Sequence, residues 1–242
     1  MKSWSNPVED EVPPPITSLE ILYETDDLIA INKPHGLLVH RSRMAADVEE
    51  FALQILRDQI GQSVWPAHRL DRKTSGVLLF TKKKEVNSVI QTIFQERQIK
   101  KVYKALVRGH MQESGTIDYA LSHESAPTPK DAVTHYTLIE NFEIELKTTS
   151  FPTSRYSLIK VEPETGRFHQ IRKHLKHISH PILGDRPHGC NKQNRIWLAK
   201  FGLEKMLLHA ESLEFEYPVG NKVRIEAGMS AEFKRVLEIM QS

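Results

Sequence analysis

His68-Arg69-Leu70-Asp71-Arg72-Lys73-Thr74-Ser75-Gly76 runs directly into the apolar Val77-Leu78-Leu79-Phe80. A polar turn carrying one carboxylate between two arginines is thereby set against a segment apolar enough to be a buried strand. A rigid strand under a polar loop is the usual mount for a catalytic group. Flanking cations favour the ionised form of Asp71, and an ionised carboxylate can attack carbon or accept a proton. The plain alternative is an exposed turn in which Asp71 pairs with Arg69 or Arg72, and for a bare Arg-x-Asp-Arg string that alternative would be preferred.

The rest of the chain tips the balance. Asn32-Lys33-Pro34-His35-Gly36-Leu37 with Val39-His40, Lys101-Val102-Tyr103-Lys104-Ala105, Pro163 to Arg172 continuing to Asp185, and Leu207-Leu208-His209-Ala210 lie in that order along the sequence. Together with the 68–79 string they resemble the motifs of the RluA class of pseudouridine synthases, from about Leu19 to Ala227. The resemblance implies an α+β pseudouridine synthase fold: a mainly antiparallel mixed sheet, flanking helices and a central RNA-binding cleft.

Composition sets looser bounds. The 242 residues suffice for one large domain, read here as two lobes. The single cysteine, Cys190, excludes an internal disulfide and agrees with a reducing compartment. Nothing at the N-terminus joins a basic start to an apolar core, and no stretch approaches a membrane span, so a cytoplasmic protein without a membrane role is expected. The expected state is a monomer. Net charge is only +2, so any surface for RNA has to come from local clusters. Lys82-Lys83-Lys84, Lys100-Lys101 with Lys104, and Arg167 with Arg172, Lys173 and Lys176 are the candidates for phosphate contacts. Solvated helix and strand ends are the alternative for such lysine runs.

Residues 1–18, with Pro13-Pro14-Pro15, read as a flexible leader, and 19–242 as the catalytic domain. The leader leaves no room for the S4 RNA-binding module that many relatives carry, so recognition is expected to fall to the catalytic domain. A strand pair is predicted at 21–23 and 28–31. Val48, Phe51, Ala52, Ile55 and Leu56 define one helical face capped by Gly61, and Val86, Val89, Ile90, Ile93 and Phe94 define a second, all assigned to the core. Strands are predicted at 76–81, 101–108, 132–140, 155–162, 211–217 and 222–226. In the fifth of these, Leu213, Phe215 and Tyr217 alternate with Glu214 and Glu216, as in a sheet with one wet face. Phe233, Val236, Leu237 and Met240 mark a terminal helix. Residues 119–131, with Pro127 and Pro129, read as a loop.

The resemblance also assigns roles. Asp71 is the catalytic carboxylate, acting at C1′ of the sugar or on the C2′ proton. Arg172 resembles the arginine that ion-pairs with it, with Arg167 as the rival. Tyr103 resembles the active-site tyrosine, although by itself it is a half-buried strand aromatic. Arg69 matches a position that fills the space left by a flipped base, His68 supports, Leu208 forms an apolar wall, and Lys101 contacts substrate. No cofactor is implied, because the isomerisation needs neither redox change nor external energy, and the sequence offers no phosphate-binding glycine loop.

His169, His174, His177 and His180 fall within twelve residues, which raises the question of zinc. The spacing of three walks around a helix, and no cysteine or nearby carboxylate completes a shell, so no metal is expected. A helix through these histidines would end at Pro181. Three function classes fit these features: a pseudouridine synthase, a catalytically silent RNA-binding relative, and a histidine-metal hydrolase. Asp71, Tyr103 and Arg172 argue against the second. Within the family, Val39-His40-Arg41-Ser42, Gln59-Ile60-Gly61-Gln62, Ala67-His68-Arg69, Ala132-Val133-Thr134-His135-Tyr136, Pro152-Thr153-Ser154-Arg155-Tyr156 and Gln193-Asn194-Arg195 are most like members that modify uridine 65 of tRNA. The stretch Lys147 to Pro152 departs from that pattern. Ribosomal RNA (23S) is the alternative substrate.

Overall fold

The structure is a computed structural model that describes residues 16–40, 50–123, 126–148 and 151–242. Most of the expected leader, Val48, the Arg41-Ser42 pair and the middle of the 147–152 stretch lie outside the described residues.

The first half of the chain forms β1 (Ile21–Glu24), β2 (Leu28–Lys33), α1 (Ala52–Ile60), β3 (Trp65–Pro66), β4 (Ser75–Thr81), α2 (Lys84–Gln95) and β5 (Lys100–Arg108). Then come β6 (Ser114–Asp118), β7 (Leu121–His123), β8 (Ala126–Lys130), β9 (Val133–Ile144) and β10 (Ser154–Pro163). The chain closes with α3 (Gln170–His177), α4 (Asn191–Phe201), β11 (Leu208–Glu216), β12 (Lys222–Glu226) and α5 (Ala231–Gln241).

Ten strands make one continuous sheet in the order β1-β2-β4-β11-β5-β10-β9-β6, with β12 beside β11 and β3 beside β4. Every pairing but one is antiparallel. The exception joins β4 to β11 in parallel through two residue pairs, His209 with Ser75 and Ala210 with Gly76.

The run Val77-Leu78-Leu79-Phe80 is apolar without interruption because β4 is buried on both sides. Val77 and Leu79 enter one cluster with Val86 and Ile90 of α2, while Leu78 and Phe80 enter another with Ala52 and Leu56 of α1. All four are fully buried, worth about 1.5–3 kcal/mol each against exposure. That burial anchors the polar turn preceding the strand. Farther along the sheet α3 covers Ala105, Val107 and Ile159, whereas α4 and α5 cover Leu106, Tyr156 and Leu158 on the opposite side.

Several sequence expectations require correction. Residues 119–131 are not a loop: β7 and β8 form a separate two-stranded hairpin held on α3. Lys173 donates to the Ser122 carbonyl, His174 bonds the Tyr119 carbonyl, and Tyr119 stacks on His177 at 3.7 Å. Phe51 is the N-cap of α1 instead of a member of its face, although Gly61 caps the other end with φ 65° as expected. Val89 is 49 % exposed, and Phe94 borders the cleft described below, so α2 does not deliver its whole stripe to the core. The helix α3 stops at His177, four residues before Pro181, and the turn is made by Ser179 at φ 66°. The helix α4 was not anticipated. Its apolar residues, Ile196, Trp197, Leu198, Ala199 and Phe201, are bunched in its second half, and Trp197 alone is fully buried, with Nε1 donating to the Tyr156 hydroxyl.

Gly76 is the tightest point of the β4–β11 junction. Its φ is 108°, and a Cβ there would lie 2.1 Å from the Ala210 carbonyl oxygen. Gly76→Ala should therefore cost at least about 3 kcal/mol, since strain and collision act together. Urea unfolding would check it, and an unchanged midpoint would refute the argument.

Candidate active site

Asp71 sits in the turn before β4, with its side chain 20 % exposed. Neither flanking arginine pairs with it. Arg72 donates through Nε to the Gly36 carbonyl at 2.8 Å, and Gly36 N–H donates back to the Arg72 carbonyl at 2.9 Å. Arg69 points to the exposed rim, 5.8 Å from the Phe168 ring centre. The turn is braced from below by Lys33, fully buried, whose Nζ donates to the carbonyls of Pro34, Leu37 and Arg72. Burial pushes the Lys33 ammonium down to about 7 while the Asp71 charge works the other way. Three carbonyl acceptors match three ammonium donors, which favours the charged form.

The partner of Asp71 comes from 101 residues away. Arg172, on the first turn of α3 and 4 % exposed, donates through Nη1 to Asp71 Oδ2 at 3.0 Å. Its remaining fork is taken by Asp185, with Nε to Oδ2 and Nη2 to Oδ1 both at 2.8 Å. Asp185 is itself buried and positioned by α4: Asn194 donates to the Asp185 carbonyl and accepts from Gly184 N–H. Burial alone would lower the Arg172 pKa, but the hydrogen bonds and charges of Asp185, then of Asp71, raise it above the ordinary value. The guanidinium is thus a fixed cation with one N–H aimed at Asp71. The rival Arg167 donates instead to the Asp131 carbonyl at 3.0 Å, on the opposite wall.

Beside this triad opens a cleft of about 740 Å³. Tyr103, on β5 between β10 and β11, packs where two core clusters meet, and burial followed by the Asp71 charge raises its pKa, keeping the phenol protonated. Leu208, the first residue of β11, adds a buried apolar wall. Lys101 reaches the Thr165 carbonyl at 3.2 Å and is lowered to about 8 by burial and then by Arg97. His68 lines the cleft while its Nε2 accepts from Leu79 N–H and its ring stacks on Phe94 at 4.9 Å. The sequence reading had passed over Gln170. Its buried amide ties Arg167 N–H and the Thr165 hydroxyl to the carbonyl of Val133 and the hydroxyl of Thr134, fixing the loop that carries Arg167 and Phe168.

The lysine clusters mostly belong to the fold. Lys82 pairs with Glu24, Lys83 with Asp27, Lys100 with Glu162 and Lys104 with Glu211. The four clustered histidines disperse as well. His174 bonds Thr134 and the Tyr119 carbonyl, His180 bonds the Arg108 carbonyl, His177 stacks on Tyr119, and His169 turns toward Asp71. Among the described residues no three His, Cys, Asp or Glu side chains are arranged to hold a metal.

Arg172→Lys should slow turnover about 100-fold or more, because an ammonium cannot serve both carboxylates through a planar fork. Arg167→Lys should cost less in single-turnover rate, and the reverse order would give the leading role to Arg167. Asp185→Asn should destabilise the fold by about 3 kcal/mol in urea melts, having left a buried cation half paired.

A pH effect follows from His35 and His68. Each accepts a backbone N–H through Nε2, from Met206 and Leu79, so each must be neutral. Burial, followed by nearby lysines, pushes both down to about 4. Groups with a depressed folded pKa stabilise above their unfolded value, near 6.5, and lose that contribution as pH falls toward 4. The melting temperature should accordingly begin to fall between pH 6.5 and 5, before most carboxylates protonate. Replacing both by Gln should flatten that part of the profile.

Comparison with known proteins identifies the family. The family described as RNA pseudouridylate synthase matches residues 27–177. A tRNA pseudouridine synthase C of Vibrio parahaemolyticus is 44 % identical over 214 residues, covering 84 % of this chain and 87 % of the relative. The protein of that name from Haemophilus ducreyi is 46 % identical over 209 residues, covering 83 % and 86 %. Among solved structures, human RNA Pseudouridylate Synthase Domain Containing 4 superposes with a TM-score of 0.70 at 25 % identity, covering 92 % of this chain and 93 % of its own. Domain Containing 1 gives 0.72 at 22 % identity, covering 96 % and 98 %, a likeness of fold. With the fold, the motif order and the family match in agreement, this chain belongs to the RNA pseudouridylate synthases.

Proposed function

We propose that this protein converts a uridine of tRNA to pseudouridine, with uridine 65 as the target and Asp71 as the catalytic carboxylate. The observation that carries the chemistry is the Asp71–Arg172 pair at 3.0 Å, partly open to the cleft and backed by buried Asp185. The tRNA assignment is supported by high-coverage relatives that carry a tRNA-modifying name. A cytoplasmic monomer acting without a cofactor belongs to the same reading.

The target base must leave its stack, at a cost of about a few kcal/mol. Arg69 stands at the rim to fill the gap. In the cleft Tyr103 and Leu208 hold the uracil while Arg172 keeps Asp71 oriented beside the sugar. The C1′–N1 bond breaks, by attack of Asp71 at C1′ or by loss of the C2′ proton to it. The freed uracil turns, C5 bonds to C1′, the C5 proton leaves, and N1 gains one. Tyr103 remains neutral throughout, in keeping with its raised pKa.

The test pairs wild type with Asp71→Asn on unmodified tRNA transcripts and deproteinised ribosomal RNA fragments, followed by pseudouridine mapping. Wild type should modify one position in the T-arm region of tRNA. Asp71→Asn should bind with similar affinity but lose at least about 100-fold in rate. If about five phosphates are contacted, log affinity should fall against log salt with a slope of roughly −3.5 to −4.5. Modification confined to ribosomal RNA would overturn the substrate, and residual Asp71→Asn activity within tenfold of wild type would overturn the catalytic assignment.

A further inference from the structure

The proposed chemistry leaves the C5 proton without a named acceptor, and the cleft contains a histidine beside Asp71 that it does not otherwise use. His169 precedes α3 with φ 56° and ψ 28°. A non-glycine residue holds that left-handed backbone at a cost of about 1–3 kcal/mol, and such strain collects at functional sites. The conformation places the ring between the proposed nucleophile and a second histidine. Its Nε2 is 3.7 Å from Asp71 Oδ2, and its Nδ1 is 2.9 Å from His188 Nε2. Phe168 stacks on its other side at 3.8 Å between ring centres. His188 is partly exposed, and its backbone N–H donates to Asp185 at 3.3 Å. A line of three side chains therefore runs from Asp71 toward solvent.

Resting on the pseudouridine synthase reading, we propose that His169 and His188 form a proton relay: His169 takes the C5 proton once C5 has bonded to C1′, and His188 carries a proton outward. The step balances without any added reagent. When C5 attacks C1′, the ring is left with a hydrogen on a saturated C5 and a double bond at N1–C6. Transfer of that proton to His169 Nε2 returns the electron pair to C5–C6, and N1 is protonated from solvent. His169 passes its Nδ1 proton to His188, so both rings end neutral once His188 has released one.

The surroundings suit a weak, neutral base. Burial is the largest influence on His169 and lowers it to about 4; Asp71 and Asp185 act to raise it, and Arg172 and His188 to lower it. His188 is lowered by burial, then raised by Asp185 and lowered by Arg172, Lys176 and Lys173. Neutral imidazole has a free lone pair at neutral pH. The C5 proton is acidic because its loss restores the conjugated uracil, and Asp71 stabilises the imidazolium as it forms.

The test exploits the backbone. Glycine adopts the His169 conformation freely, so His169→Gly deletes the ring while keeping the turn. With tRNA transcripts carrying 5-deuterouridine, this variant should slow single-turnover formation of pseudouridine about 100-fold and show a larger C5-deuterium isotope effect than wild type. Added imidazole should recover part of the rate and shrink that isotope effect. His188→Phe should show the same pattern in weaker form. A rate within threefold of wild type, or a slow rate with an unchanged isotope effect and no imidazole rescue, would mean that the pair is structural. Wild type inactive on every RNA supplied would instead overturn the functional reading itself, and the relay with it.

Discussion

The guanidinium of Arg172 is the point on which the site depends. It is buried, it stays charged, and its planar fork meets two carboxylates in fixed directions: Asp185 bidentately, Asp71 through the remaining nitrogen. Taking such a cation out of water is costly unless all its donors are matched. Asp185 supplies most of that compensation from a position as buried as the arginine, which leaves the Asp71 contact free to be a functional one. An arginine satisfied by Asp71 alone would swing with it. With Asp185 holding the other edge, Asp71 is aimed by a guanidinium that a buried carboxylate fixes in place.

The sheet explains how three distant segments reach that point. The β4–β11 pairing is short and parallel, and it brings the turn at Asp71 alongside the start of β11, where Leu208 stands, and next to β5 with Tyr103. Ser75 and His209 seal the junction from within. His209 Nε2 donates to the Ala227 carbonyl, so its Nδ1 is unprotonated and accepts from the Ser75 hydroxyl. Gly76 lets the two backbones approach there. The junction therefore serves two ends at once, continuity of the core and convergence of the cleft residues.

Much of this was legible in one dimension because local signals and burial coincided. The uninterrupted apolar run at 77–80 announced a strand covered on both faces, and the alternation at 213–217 announced a half-wet one. The hairpin at 121–130 was missed because its strands are short and exposed and carry two prolines, so it has neither apolar period nor propensity; it stands by docking on α3. The helix α4 was missed for a related reason, since its value lies in Asn194, Gln193 and Trp197 meeting distant partners. The pairing of Asp71 with Arg172 was legible only through the motif resemblance, since by themselves the flanking arginines looked sufficient; the fold shows that one of those braces a loop and the other faces the rim, and it adds Asp185 as a second carboxylate on Arg172.

The same limit applies to charge. Lysine runs beside the motifs suggested a basic track, yet Lys82, Lys83, Lys100 and Lys104 are each matched by a carboxylate from a neighbouring strand or turn. The pairs that Lys83 and Lys100 make at the surface add little to stability. Their larger consequence is to lower the positive field outside the cleft. The cations placed at the cleft itself, Arg69, Arg97, Lys101, Arg167 and Arg172, come from three stretches of the chain and include two tied to backbone carbonyls. The charge that a ligand in the cleft meets is thus set by how the fold places these cations and not by how many the sequence carries.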